Sequence, residues 1–154
     1  MALPRVWHNL HPSVVIERTD RGHGVQAHTA DVVIEAWGPT AAACYEEAAA
    51  AFVDVFAAVD AVEGSAEPFD VGPGRPEELL VLLLEELLFG ADARGRVPVA
   101  TEVEVRGDHL IGRITAVPIE EVAIVGSIPK GVSYSELEFG HRDGGWVCRT
   151  VVDV

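Results

Sequence analysis

Thr101-Glu102-Val103-Glu104-Val105 alternates polar and apolar side chains, the period of a strand with one face buried. Gly107-Asp108 follows as a turn, and residues 110–116 return as a second apolar-rich strand. Residues 118–131 hold Pro118, Gly126, Pro129 and Gly131 and read as a long irregular connection. Alternation resumes over residues 133–139, with Leu137 and Phe139 on one face and Glu136 and Glu138 on the other. Asp143-Gly144-Gly145 is a second hairpin turn, and residues 146–154 make a closing strand. The C-terminal half is therefore expected to be antiparallel β.

Working toward the N-terminus, the period changes. Pro76 suits the first turn of a helix, and Glu77 and Glu78 favour the positive end of its dipole. Leu79, Leu80, Leu83, Leu84, Leu87 and Leu88 make a broad apolar face, and Gly90 is the expected C-cap. Such a helix belongs between layers or beneath an N-terminal arm. Residues 66–71 are a candidate strand. An earlier helix starts at Thr40, whose hydroxyl can accept from an orphan N–H of the first turn. Cys44, Ala48, Ala51, Phe52, Val55, Phe56 and Val59 recur on one face, so this helix is expected to reach Glu63-Gly64-Ser65. Before it, residues 24–37 are extended, with Val32-Val33-Ile34 β-branched, and break at Gly38-Pro39. Residues 1–21 form a weakly patterned arm, expected to be partly ordered. Val14-Val15-Ile16 is a candidate strand there, and His8 and His11 are too loosely spaced for a metal site. Residues 22–154 then form one α+β domain, two main helices packed on a mostly antiparallel β-sheet.

Composition limits the function. The 154 residues are 49% hydrophobic and 23% charged, a globular balance. No apolar run is long enough to span a bilayer, and residues 1–5 show no signal-peptide core, so the expected compartment is the cytoplasm. The net charge of -14 repels phosphate backbones. No direct nucleic-acid binding by the chain alone is expected, and no membrane association. That charge would attract cations or a basic protein, or serve solubility alone. Cys44 and Cys148 lack metal-type spacing and read as buried thiols. Lys130 is the only lysine among eleven basic residues.

Two features could carry chemistry. His28-Thr29-Ala30-Asp31 sits between extended stretches, where a carboxylate often caps a turn. Val151-Val152-Asp153-Val154 places Asp153 beside the terminal carboxylate of Val154. If Asp31 faces that pair, three anionic oxygen donors converge on a site for a hard cation. A solvated, frayed terminus is the alternative left open by the residues. There is no Walker, zincin or nucleophile-elbow pattern.

His28-Thr29-Ala30-Asp31, the run into Ala36-Trp37-Gly38, Lys130-Gly131-Val132-Ser133-Tyr134, Gly144-Gly145-Trp146 and the hydrophobic-Asp-hydrophobic ending resemble the archease family over roughly residues 23 to 154. The resemblance implies a metal site of Asp31, Asp153 and the Val154 carboxylate, with Lys130 tied to activity. His28 becomes a candidate to orient Asp31 by hydrogen bonding. The implied cation is calcium first, with magnesium and manganese as alternatives. Archeases promote guanylylation of an RtcB-type RNA ligase, which works in tRNA splicing and RNA repair. That implies an activator rather than an enzyme. The chain departs from the family pattern at Leu82, Val117 and Ser135, which points to a divergent branch or a weakened site. Two rivals are a small metal-dependent phosphate hydrolase, for which no nucleophile or general base stands out, and an interaction module without metal.

Overall fold

A computed structural model describes residues 20–27, 31–60 and 63–154. The candidate strand at 14–16, the two arm histidines and His28 lie outside these residues. In chain order the elements are β1 (Gly22–Ala27), β2 (Asp31–Gly38), α1 (Ala41–Asp54), β3 (Ala57–Ala58), β4 (Ser65–Val71), α2 (Pro76–Arg94), β5 (Arg96–Arg106) and β6 (His109–Pro118). A 3-10 turn at Ile119–Glu121 leads to β7 (Ala123–Ile124), β8 (Gly131–Arg142) and β9 (Gly145–Asp153).

The strands form three antiparallel sheets, ordered β1-β2-β9-β8, β3-β7 and β4-β6-β5. Each helix touches both larger sheets. The first, α1, packs on β1, β2 and β9 and also on β5; α2 packs on β8 and on β4, β5 and β6. This explains the leucine-rich face of α2. Leu79, Leu80, Val81, Leu83, Leu84, Leu87 and Ala91 are buried together, covering about half the circumference at 3.6 residues per turn. A helix gripped from two sides needs a wider apolar surface than one lying on a single sheet. The α+β class, with two helices on mostly antiparallel sheet, follows directly.

Local signals set most element ends. Thr40 accepts from the Ala43 N–H at 3.1 Å and starts α1. The Glu78 carboxylate reaches back to the Arg75 N–H at 2.9 Å and starts α2. Asp143 and Gly144 both take positive φ, 54° and 80°, as a two-residue hairpin turn needs.

Three sequence expectations are corrected. Helix α1 stops at Asp54, so Val55, Phe56 and Val59 are not helical. The Phe56 carbonyl accepts from the Val125 N–H at 2.9 Å, and Ala57–Ala58 pair with residues 123–124. Long-range pairing thus overrides a helical period that the sequence continues. The C-cap of α2 is Gly95, at φ 62° and ψ 34°, rather than Gly90, which lies inside the helix. The connection at 118–131 is not wholly irregular, since it contains the 3-10 turn and β7.

Two irregularities matter later. Between the pairs Ser133–Val151 and Glu138–Arg149, residues 134–137 of β8 stand opposite Thr150 alone, a four-against-one irregularity of the bulge kind. On β5, an outer strand of its sheet, the Val103 N–H donates to the Glu46 carboxylate of α1 at 2.9 Å.

Candidate functional site

The candidate residues meet where three strands of the four-stranded sheet begin or end. Asp31 opens β2 and Asp153 closes β9, and the two are paired across the ladder. Gly131 opens β8 and pairs with Asp153 from the other side. One row therefore reads Asp31, Asp153, Gly131. Side chains directly opposed on an antiparallel pair share a face, with Cβ atoms about 4.5–5.5 Å apart. The row is fixed by main-chain contacts: the Lys130 N–H donates to the Asp153 carbonyl at 2.7 Å. Strand β2 delivers Asp31 because Val32, Ile34 and Ala36 go into the core, which turns the odd-numbered positions to the opposite face. Strand β9 does the same with Cys148 and Val152.

Asp31 is half-buried and Asp153 exposed. Two carboxylates directly across a ladder repel each other. Among the described residues, no three His, Cys, Asp or Glu side chains gather closely enough to hold a metal ion. What the ladder brings together is a pair of aspartates; Val154 follows Asp153, its half-buried side chain packed against the core. All the donors are oxygen, the chemistry a hard cation takes. Lys130 is exposed and borders the row through its neighbour Gly131.

Farther along the same strands, Arg149 donates to Glu35 at 2.8 Å and to Glu136 at 3.1 Å. The side chains of Arg149 and Glu35 are only 12% and 13% exposed. The bulge of β8 supplies Glu136, at φ 53°. This cation is thus already engaged by two carboxylates and does not neutralise the aspartate pair.

The departures from the family pattern fall in different settings. Val117 is 1% exposed, so an acidic side chain there would be buried. Leu82 packs against the core, and Ser135 is exposed in the bulge, its N–H donating to Ser133 Oγ at 3.0 Å. Sequence reasoning missed Gly131 as a member of the row. The available signal was a glycine opening an alternating strand next to the sole lysine.

Comparison with known proteins places this chain in a family. The model of the Archease protein family (MTH1598/TM1083) matches residues 25–154. A probable protein archease of Mycobacterium tuberculosis is 31% identical over 137 residues, covering 88% of this chain and 76% of that protein. A protein archease of Methanosarcina barkeri is 32% identical over 135 residues, covering 82% of this chain and 92% of the other. The solution structure of Methanobacterium thermoautotrophicum protein 1598 superimposes with a TM-score of 0.71 at 25% identity, over 86% of this chain and 99% of that one. The crystal structure of an archease, possible chaperone, from Thermotoga maritima gives 0.61 at 17% identity, over 82% and 93% of the two chains, a likeness of fold. No helix among the described residues is long and apolar enough to cross a membrane. By family model, relatives and fold, this chain belongs to the archease family.

Proposed function

We propose that the protein is a metal-binding activator, not itself an enzyme, that promotes guanylylation of an RtcB-type RNA ligase in tRNA splicing or RNA repair. The observation that carries this reading is the register pairing of Asp31 with Asp153. A stable strand pair puts like charges opposite one another only at a cost, and a bound cation removes that cost. Asp31, Asp153 and the Val154 carboxylate would hold the ion, calcium before magnesium or manganese. Few protein donors leave coordination positions open, and the ion would supply a positive charge for an anionic oxygen of the partner. Lys130 adds a flexible point charge beside it. His28 is proposed to orient Asp31. The acidic chain, with net charge -14, suits a basic protein partner more than RNA.

The test is a guanylylation assay with the cognate ligase. Asp31→Ala and deletion of Val154 should abolish stimulation, and Lys130→Ala should lower it without unfolding the domain. Full stimulation by the first two variants refutes the metal-site mechanism. The rival reading is an interaction module without metal. A cation-dependent rise in melting temperature separates the two, because a ligand bound only to the folded state stabilises it.

A further inference from the structure

Between α2 and the three-stranded sheet lies a cavity of about 60 Å³, enough for several waters. Phe69, Leu87 and Ile114 give it an apolar lining, and Gly90 forms part of its α2 wall. A glycine inside a helix is destabilising relative to alanine, and this one is not held by crowding. Beyond its own helix, a Cβ built there meets only the Arg96 carbonyl oxygen, at 3.8 Å, an ordinary contact. The missing side chain leaves the space open.

Four charged side chains line this cavity: Arg94, Arg96, Glu67 and Glu86. Among the described residues none of them has an ion-pair partner, although both signs are present. The arginines are held by uncharged groups instead. Arg96 Nη2 donates to the Ala116 carbonyl at 2.8 Å, and the Arg94 guanidinium lies 4.9 Å from the Phe89 ring centre. Backbone spacing keeps the opposite charges apart. Glu86 and Arg94 stand about 12 Å apart along α2. Glu67 pairs with Ile114 of β6 and Arg96 with Pro118, positions about 13 Å apart along that strand. The chain turns back at Gly95, so both arginines share one end of the cavity and the carboxylates stand toward the other.

We propose that this cavity binds a small zwitterion, a linear amino acid with its carboxylate and ammonium at opposite ends of a short methylene chain. The carboxylate takes the arginine end, where planar guanidinium donors match its two oxygens. The ammonium takes the end of Glu67 and Glu86, and the methylenes lie along Phe69, Leu87 and Ile114. An apolar pocket with a few convergent polar groups is the usual form of a small-molecule site. Arginines alone would accept any small anion, and carboxylates alone any amine. The two ends together select a ligand that carries both charges. The site is separate from the strand-end aspartates, which belong to the four-stranded sheet.

Isothermal titration calorimetry of the full chain tests this with β-alanine, γ-aminobutyrate, δ-aminovalerate and ε-aminocaproate. Butyrate and butylamine are the single-charge controls. At least one of the amino acids should bind one-to-one, about tenfold or more tightly than either control. Gly90→Leu should fill the cavity and abolish that binding. Arg94→Gln, at an exposed position, is the safeguard should leucine disturb folding. It should weaken the amino acid about tenfold and leave butylamine unchanged. Glu86→Gln should remove the advantage of the amino acid over butyrate. An absence of binding by all four amino acids overturns the proposal, and so does a single-charge control that binds equally well. Affinity unchanged in folded Gly90→Leu or in Arg94→Gln also overturns it, because the ligand would then sit elsewhere.

Discussion

Replacing Asp31 with asparagine should change the sign of its effect on stability when calcium is added. Asp31 and Asp153 are directly opposed, and like charges so placed destabilise a strand pair by about 0.2–1 kcal/mol. Coulomb's law for two charges 5 Å apart in water gives a similar figure, about 0.8 kcal/mol. Asparagine keeps the shape and removes one charge. In EDTA, Asp31→Asn should therefore melt about 2–3 °C above wild type, taking the Coulomb figure at 2–4 °C per kcal/mol for a chain of this size. Calcium at about 100 times its dissociation constant stabilises a one-site protein by roughly 2.7 kcal/mol, or about 5–10 °C here. The variant should lose most of that increment. Wild type is then the less stable protein in EDTA and the more stable one in calcium. Differential scanning calorimetry in the two buffers reads both values. A variant that melts below wild type in EDTA and keeps the full calcium increment would refute the opposition of charges and the site built on it.

Glu35→Ala should cost about 1.5–3 kcal/mol, because it leaves the largely buried Arg149 with Glu136 as its remaining carboxylate; urea unfolding checks this, and a change under 0.5 kcal/mol would mean the pair is solvated. Leu84→Ala, at a fully buried position of α2, should cost about 2–5 kcal/mol with an unchanged m-value. The Tyr45 hydroxyl donates to the Pro76 carbonyl at 2.7 Å, and burial, then the nearby Cys148, Cys44 and Glu77 groups, push its pKa well above the ordinary tyrosine value. The unfolded chain then releases that proton first, so stability should be intact below about pH 10 and fall as pH rises beyond it. Tyr45→Phe should flatten that alkaline fall, measured by denaturation at stepped pH; an unchanged slope would show that the hydroxyl ionises in the folded state.

Much of the molecule was readable before its structure, for local reasons. Thr40, Pro76, the turn at Asp143-Gly144 and the alternation at 101–105 are each interpretable within a few residues, and each sits where expected. What failed locally was decided by distant partners. Val55, Phe56 and Val59 keep a helical period, yet pairing with residues 123–125 draws the chain out of the helix. Gly90 and Gly95 look alike as caps, and only the second adopts the left-handed conformation. For the candidate site, the residue types were legible and their meeting was not. Asp31 and Asp153 stand at opposite ends of the sequence, and the ladder that aligns them has no signature shorter than the whole sheet.

The carboxylate that α1 extends to the outer strand β5 also bears on self-association. An outer strand presents unpaired N–H groups that can recruit a strand from another molecule, the first step of edge-to-edge aggregation. By occupying the Val103 N–H, Glu46 removes one of those footholds and sets a negative charge where an incoming carbonyl would have to dock. The same helix that fills the core thereby also guards a flank against edge-to-edge pairing.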